Sequence, residues 1–109
     1  MTTTAAKVPY VDASPAELRE AILPEDRDQF DASFRRALDA MADSLSLEPL
    51  QQFLEHWRRI AWSAHAYGHD SWRQVLARAE YTLATGGERP PFDATAGEIR
   101  QLLRERQAR

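Results

Sequence analysis

The chain has 109 residues, a formal net charge of −3 and no cysteine. This length is typical of one domain, which can bury enough surface to fold without a disulfide or a bound metal. The missing cysteines exclude a disulfide framework and thiolate ligation of zinc, and they fit a reducing compartment. The sequence has no apolar run as long as a signal peptide or a membrane span, so we expect a cytoplasmic protein with no membrane partner.

The N-terminal residues lead into a first short helix. Residues 1–13 are small and polar around an isolated Val-Pro-Tyr-Val, so we expect a flexible arm. The string Ser14-Pro15-Ala16-Glu17 forms a capping box with proline at the first helical position, which predicts a helix from 15 to 23. Pro24 ends that helix, because the residue before a proline is disfavoured in the helical conformation.

The second predicted helix, 25–44, has one narrow apolar stripe. Its large apolar residues fall within about 80° of the helix circumference, so we expect them to face a single neighbour. These residues are Phe30, Phe34, Leu38, Met41 and Leu45.

The third predicted helix, 47–67, has a much wider apolar face. The arc spans roughly 160°, so this helix should contact neighbours on two sides. The connection before it is short, which predicts an antiparallel hairpin with the second helix. Trp62 lies outside the arc, beside Arg58 and His65, and forms a second, smaller aromatic surface. The residues of the arc are Leu47, Leu50, Phe53, Leu54, Trp57, Ile60, Ala61 and Ala64.

A fourth helix is predicted from 70 to 84, after Gly68. Its apolar residues repeat at helical spacing and predict a core stripe, while Tyr81 should point the other way. The stripe consists of Trp72, Val75, Leu76, Ala79 and Leu83.

The C-terminal part combines a Gly/Pro-rich segment with a last helix. A second capping box at Thr95 opens that helix, which is predicted from 96 to 107. Its large apolar residues are too few to hold it in water alone, so it should either dock on the rest of the chain or fold on a partner. They are Ile99, Leu102 and Leu103.

These elements predict an all-α fold, a small helical bundle built on a long antiparallel helix hairpin, with a C-terminal helix after a Gly/Pro linker. The predicted organisation is a flexible arm (1–13), a bundle domain (14–85), a linker (86–94) and an amphipathic helix (95–109). The predicted core residues are Phe30, Phe34, Leu38, Met41, Leu50, Phe53, Leu54, Trp57, Ile60, Trp72 and Leu76.

No catalytic, cofactor or metal signature rises above background, so we expect a protein that is not an enzyme and has no cofactor. His65 and His69 have a spacing that can hold zinc on one helix. Gly68 lies between them and breaks the helix, which favours helix-end and surface histidines. The pair Arg58-Arg59 could contact nucleic acid, but Glu55 at helical spacing favours surface ion pairs.

Several strings of the sequence resemble a known family. They are Leu23-Pro24-Glu25-Asp26-Arg27, Phe30-Asp31, Phe34-Arg35-Arg36-Ala37-Leu38 and Leu54-Glu55-His56-Trp57-Arg58-Arg59-Ile60-Ala61. Over roughly residues 14–90 the chain resembles short, uncharacterised actinobacterial proteins classed as a domain of unknown function. Members of that family resemble, in size and layout, antitoxins that sit beside toxins of the RelE/ParE type, so the resemblance implies a toxin partner.

Several functions therefore stay open. The first is a protein-binding module, most concretely an antitoxin-like partner of a RelE/ParE-type toxin encoded nearby. The alternatives are a regulator that binds a small ligand or nucleic acid through Arg58, Trp62 and His65, and a helical protein that only self-associates as a homodimer. The acidic net charge argues against nucleic acid. The residues predicted to bind a partner are Phe92, Ile99, Leu102, Leu103, Arg100, Arg104, Trp62 and Arg58.

Overall fold

A computed structural model describes residues 10–108 of the chain, so most of the predicted N-terminal arm lies outside the described residues. Within residues 10–108 the structure has five α-helices and no strand, which confirms the all-α prediction. No helix in this part of the chain is both long enough and apolar enough to cross a bilayer. The helices are α1 (Pro15–Ala21), α2 (Arg27–Ser44), α3 (Glu48–Tyr67), α4 (His69–Ala84) and α5 (Ala96–Gln107).

Local sequence signals set the helix boundaries, which lie close to those predicted. Both predicted capping boxes form, because each cap hydroxyl accepts a hydrogen bond from the backbone N–H three residues later. These bonds measure 3.2 Å from Glu17 N to Ser14 Oγ and 3.1 Å from Glu98 N to Thr95 Oγ1. Pro24 begins a short 3₁₀ helix that precedes α2.

The chain divides into two compact units, the first ending at Ala66 and the second beginning at Tyr67. The first unit contains α1, α2 and nearly all of α3, and the second contains α4 and α5. The sequence placed the fourth helix in a bundle domain that ended at residue 85, whereas this division groups α4 with the C-terminal helix.

Aromatic side chains form the centre of the first unit. The Phe30 ring lies 5.0 Å from that of Phe53 and 5.2 Å from that of Trp57, and the Phe34 ring lies 5.3 Å from that of Phe53. The Trp57 Nε1–H donates to Ser33 Oγ at 3.1 Å, so the polar atom of this buried ring has a partner. The earlier α2 residue, Phe30, contacts the later α3 residue, Trp57, and Phe34 contacts the earlier Phe53. This order favours the predicted antiparallel arrangement, while the hairpin itself stays a prediction.

The short helix α1 is fixed to the rest of the first unit by burial and by an ion pair. Leu18 and Ile22 are fully buried. Arg19 binds Asp31 of α2 through both carboxylate oxygens, at 2.8 Å and 2.9 Å. This bidentate hydrogen bonding lowers the pKa of Asp31 below its ordinary value. This ion pair links α1 to α2.

The predicted stripe of α2 is wrong over its C-terminal half. Leu38 is 41% exposed and Leu45 is 91% exposed, whereas Ala37 is buried. Met41 is only half-buried. The aromatic contacts of Phe30 orient the helix. Ala37 lies about two turns later on the same side of α2, so Leu38 is turned away from α3. Leu45 leaves the helical conformation altogether, with φ of 55°.

The second unit has a small core between α4 and α5. Ile99 is fully buried with Ala77 and Ala94, and Tyr81 packs against this cluster. The prediction that Tyr81 points away from the core is therefore wrong, and so is the core position of Leu83, which is 83% exposed. The reason is that α5 packs on the Ala77–Tyr81 side of α4, a pair at i, i+4, and not on the side that carries Leu83.

Side chains of α4 bind the backbone of the Gly/Pro segment that leads to α5. Gln74 Nε2 donates to the Ala94 carbonyl at 2.7 Å, and Arg78 donates to the carbonyls of Pro91 and Phe92. Proline has no N–H and cannot join a regular backbone ladder, and here side chains of α4 supply the donors to the carbonyls of this segment. These bonds hold the segment 90–94 against α4.

Candidate functional site

A shallow groove with a volume of about 470 Å³ runs along α3 in the first unit. Its lining combines apolar and aromatic side chains with three charged ones. We call it the α3 groove, and it is lined by Tyr10, Val11, Gln51, Leu54, Glu55, Arg58, Arg59 and Trp62.

Three of the residues that line the α3 groove are one helical turn apart. Leu54, Arg58 and Trp62 follow one another at four-residue spacing, so their side chains lie along one side of α3. Val11, which precedes α1, is half exposed and contributes apolar surface to the same groove. The groove thus presents an apolar surface on a regular helix.

Arg58 connects this groove to the turn before α1. Its Nη2 donates to the Ala13 carbonyl at 2.9 Å, and its Nε is buried without a hydrogen-bond partner among the described residues. Glu55 forms its ion pair with Arg59 instead. The sequence prediction of surface ion pairs therefore holds for Arg59 but not for Arg58, because the arginine side chain extends toward the carbonyl of the turn.

Trp62 is the large aromatic residue that this site exposes to solvent. It is 41% exposed. Its ring stacks on His65, with centroids 6.0 Å apart and planes inclined by 27°, and the edge of Tyr10 approaches the same imidazole at 5.8 Å. The structure thus brings together the three residues of the predicted Arg58, Trp62 and His65 surface, and His65 supports the Trp62 ring from one face.

The C-terminal residues predicted to bind a partner have different environments. Ile99 and Leu103 are buried in the second unit, and Ile99 packs with Ala77 of α4. Their predicted role as anchors for a partner stays a prediction. Phe92 is 94% exposed. Leu102 is half-buried and lines a hollow of about 630 Å³ with Pro91 and neighbouring α5 residues.

The two α5 arginines that were predicted to bind a partner, Arg100 and Arg104, have different environments. Arg100 is half-buried, whereas Arg104 is exposed and donates to Gln101 Oε1 at 2.7 Å. Arg106, which the prediction left out, forms an ion pair with Glu88 at 2.7 Å. Such exposed contacts are worth only a fraction of a kcal/mol up to about 1 kcal/mol each.

Sequence reasoning missed part of the α3 groove. It placed Leu54 in the core and assigned Tyr10 and Val11 to a flexible arm. In the structure Leu54 is only half-buried, and the turn at Tyr10 is closed by a 3.3 Å hydrogen bond from Ala13 N. The isolated Val-Pro-Tyr-Val in an otherwise polar stretch was the available signal for this contact.

The described residues contain no cluster of three or more histidine, aspartate or glutamate side chains that could hold a metal ion. His65 is instead in contact with two aromatic rings.

Comparison with known proteins gives a family but no function. The sequence profile described as a family of unknown function, DUF6247, matches residues 6–107. This confirms the predicted resemblance to a domain of unknown function, over a longer stretch than the strings that indicated it. No curated protein and no solved structure matches the chain.

Proposed function

We propose, from the premise that the chain belongs to the DUF6247 family, that it is a non-enzymatic protein-binding module whose α3 groove receives an apolar side chain of another protein. The observation that carries this proposal is the exposed Trp62, which is stacked on His65 and lines the α3 groove together with Leu54 and Val11. A large indole surface left in water favours association, because burying it on a partner removes apolar area from solvent.

The residue types of the α3 groove support the same proposal. Tryptophan, tyrosine and arginine are the residues that most often dominate the free energy of protein–protein binding. The groove has one or more of each, in Trp62, Tyr10 and Arg58. Two of them lie on a regular helix, and the stacking on His65 restricts the Trp62 ring, so little side-chain entropy needs to be lost on binding.

The most concrete form of this proposal is an antitoxin-like partner of a RelE/ParE-type toxin encoded nearby, in a bacterial cytoplasm. It is supported by a resemblance at the level of the family: members of the family that the Leu23–Arg27 and Leu54–Ala61 strings indicate resemble antitoxins in size and general layout. Such a partner requires a binding surface and no catalytic group, which fits a groove of aromatic, aliphatic and arginine side chains.

A comparison of variants tests the proposal. The tagged full chain, its Trp62→Ala variant and its Leu83→Ala variant would be expressed in the organism from which the sequence comes, and retained proteins quantified by mass spectrometry. Leu83 is the matched control, because it is an exposed apolar residue outside the α3 groove. We expect one protein to be retained by the wild type and by Leu83→Ala and to be lost from Trp62→Ala.

That protein would then be purified and its binding measured by calorimetry. Truncating a central tryptophan should weaken the Kd by a factor on the order of 30 or more, which corresponds to about 2 kcal/mol. Equal affinity of the wild type and Trp62→Ala would contradict the proposal. Retention of a second copy of the chain alone would replace it by self-association.

A further inference from the structure

We infer that the segment bound in the α3 groove carries a carboxylate beside the apolar side chain that covers Trp62. This inference rests on the proposed function and adds the chemistry of the partner to it. Its evidence is the charge distribution along the groove and the incomplete hydrogen bonding of Arg58.

The groove has an excess of positive charge. Arg58 and Arg59 line it together with one carboxylate, that of Glu55. Glu55 is already paired with Arg59. Arg58 therefore has no carboxylate partner in the part of the chain that the structure describes, and an anionic group on the partner would complement it.

The guanidinium of Arg58 also has unused hydrogen-bonding capacity. A guanidinium has five N–H donors, and the described contacts of Arg58 consist of one bond to the Ala13 carbonyl. Its Nε is buried without an acceptor, which leaves the terminal nitrogens as the donors that a carboxylate bound in the groove can reach. Water is partly excluded around this group, which strengthens a hydrogen bond to an ionised acceptor relative to one in bulk solvent.

A carboxylate fits this site better than a phosphate chain does. Binding to a nucleic-acid backbone depends on several cations that each neutralise a phosphate. Here one cation remains unpaired next to apolar and aromatic lining residues, and the whole chain has a net charge of −3. A single acidic residue next to an apolar one matches that arrangement.

The distance between Arg58 and Trp62 determines how far apart the acidic and the apolar residue of the partner segment should be. Residues four apart on a helix have Cβ atoms about 5–6 Å apart. Side chains on one face of an extended segment are two residues apart and separated by about 6.6–6.8 Å. We therefore expect the acidic residue of an extended partner segment two positions from the apolar residue, and three or four positions away in a helical one.

Selection from a random peptide display library on the full chain tests this inference, with Trp62→Ala used to remove peptides that bind elsewhere. We expect the selected peptides to share a leucine or aromatic residue and an aspartate or glutamate at the stated spacing. Each selected peptide would be synthesised with its acidic residue and with the corresponding amide. The Asp→Asn or Glu→Gln change should weaken the Kd about tenfold, and added salt should reduce that difference.

Because the decisive change is made in the peptide, the folding of the protein cannot affect the result. An Arg58→Lys variant, with its folding checked by circular dichroism, tests the same interaction from the protein side. Its affinities for the acidic peptide and for the amide peptide would be compared in the same way. Trp62-dependent peptides without an acidic preference would overturn this inference and leave the proposed function standing. A library that yields no Trp62-dependent peptide would overturn both.

Discussion

Trp57 is a buried member of the aromatic core of the first unit. It is 3% exposed, lies against Phe30 and donates to Ser33. We expect Trp57→Ala to lower the free energy of unfolding by about 3–5 kcal/mol, because it leaves a large cavity. Urea unfolding followed by circular dichroism measures this change, and Trp62→Ala serves as the control with a much smaller effect. An unchanged midpoint for Trp57→Ala would show that the aromatic core is packed differently.

Two capping glutamates make stability depend on pH. The pKa values of Glu17 and Glu98 lie below the ordinary value of 4.5, because the backbone N–H groups of Ser14 and Thr95 hydrogen bond to the charged carboxylates. Because the folded-state pKa is lowered, the stabilisation is present above pH 4.5 and is lost as pH falls through the lowered pKa. We expect the melting temperature to fall over this acidic range.

The variants Glu17→Gln and Glu98→Gln separate this effect from general acid destabilisation. Glutamine keeps the capping acceptor but does not titrate, so the melting temperature of each variant should depend less on pH below 4.5 than that of the wild type. Glu80→Gln, at an exposed position of α4, is the control. If the melting temperatures of the wild type and the three variants depended on pH in the same way, the capping glutamates would not be the cause of that dependence.

At the scale of the helix, α2 contains two adjacent residues with opposite environments. Ala37 is buried and Leu38 is exposed. Ala37→Leu should destabilise the chain by about 1–3 kcal/mol through overpacking, whereas Leu38→Gln should change stability by about 0.5 kcal/mol or less. Urea midpoints of the two variants give the comparison. A larger loss of stability for Leu38→Gln than for Ala37→Leu would mean that α2 faces α3 with the apolar stripe predicted from the sequence, which contains Leu38.

The packing of α5 on α4 gives a second matched pair. Ile99 is fully buried, whereas Leu102 is half-buried at the edge of a hollow. Ile99→Ala should cost about 2–5 kcal/mol and Leu102→Ala clearly less. Amide hydrogen exchange should be slow across residues 99–103 in the wild type and faster in Ile99→Ala. Fast exchange there in the free wild-type protein would mean that α5 is not held against α4.

At the scale of the whole molecule, the net charge of the chain argues against binding to nucleic acid. A net charge of −3 gives no overall attraction to phosphate. We expect labelled duplex DNA and single-stranded RNA to show no rise in fluorescence anisotropy on addition of the protein, even at about 50 mM salt, with a basic DNA-binding protein as positive control. Salt-dependent binding would favour the nucleic-acid regulator over the protein-binding module.

The sequence by itself determined the features that depend on a few neighbouring residues. Capping by Ser14 and Thr95, the interruption at Pro24 and the break at Gly68 all follow from local backbone chemistry, so the helices begin and end close to the predicted positions. Trp57 was also correctly placed in the core, since it lies near the middle of a wide apolar arc where a moderate rotation of the helix leaves it buried.

Only the tertiary structure decided which face of α2 and of α4 is buried, and where α5 packs. Leu38 and Leu83 follow the same periodicity as core residues, but the pairing of Phe30 with Trp57 and of Tyr81 with the Ile99 cluster turns other residues inward. The α3 groove depends likewise on the contact of Arg58 with the Ala13 carbonyl, between residues 45 positions apart. Helical periodicity indicates that a face is apolar, but the partner of that face is specified by contacts distant in sequence, which no local pattern contains.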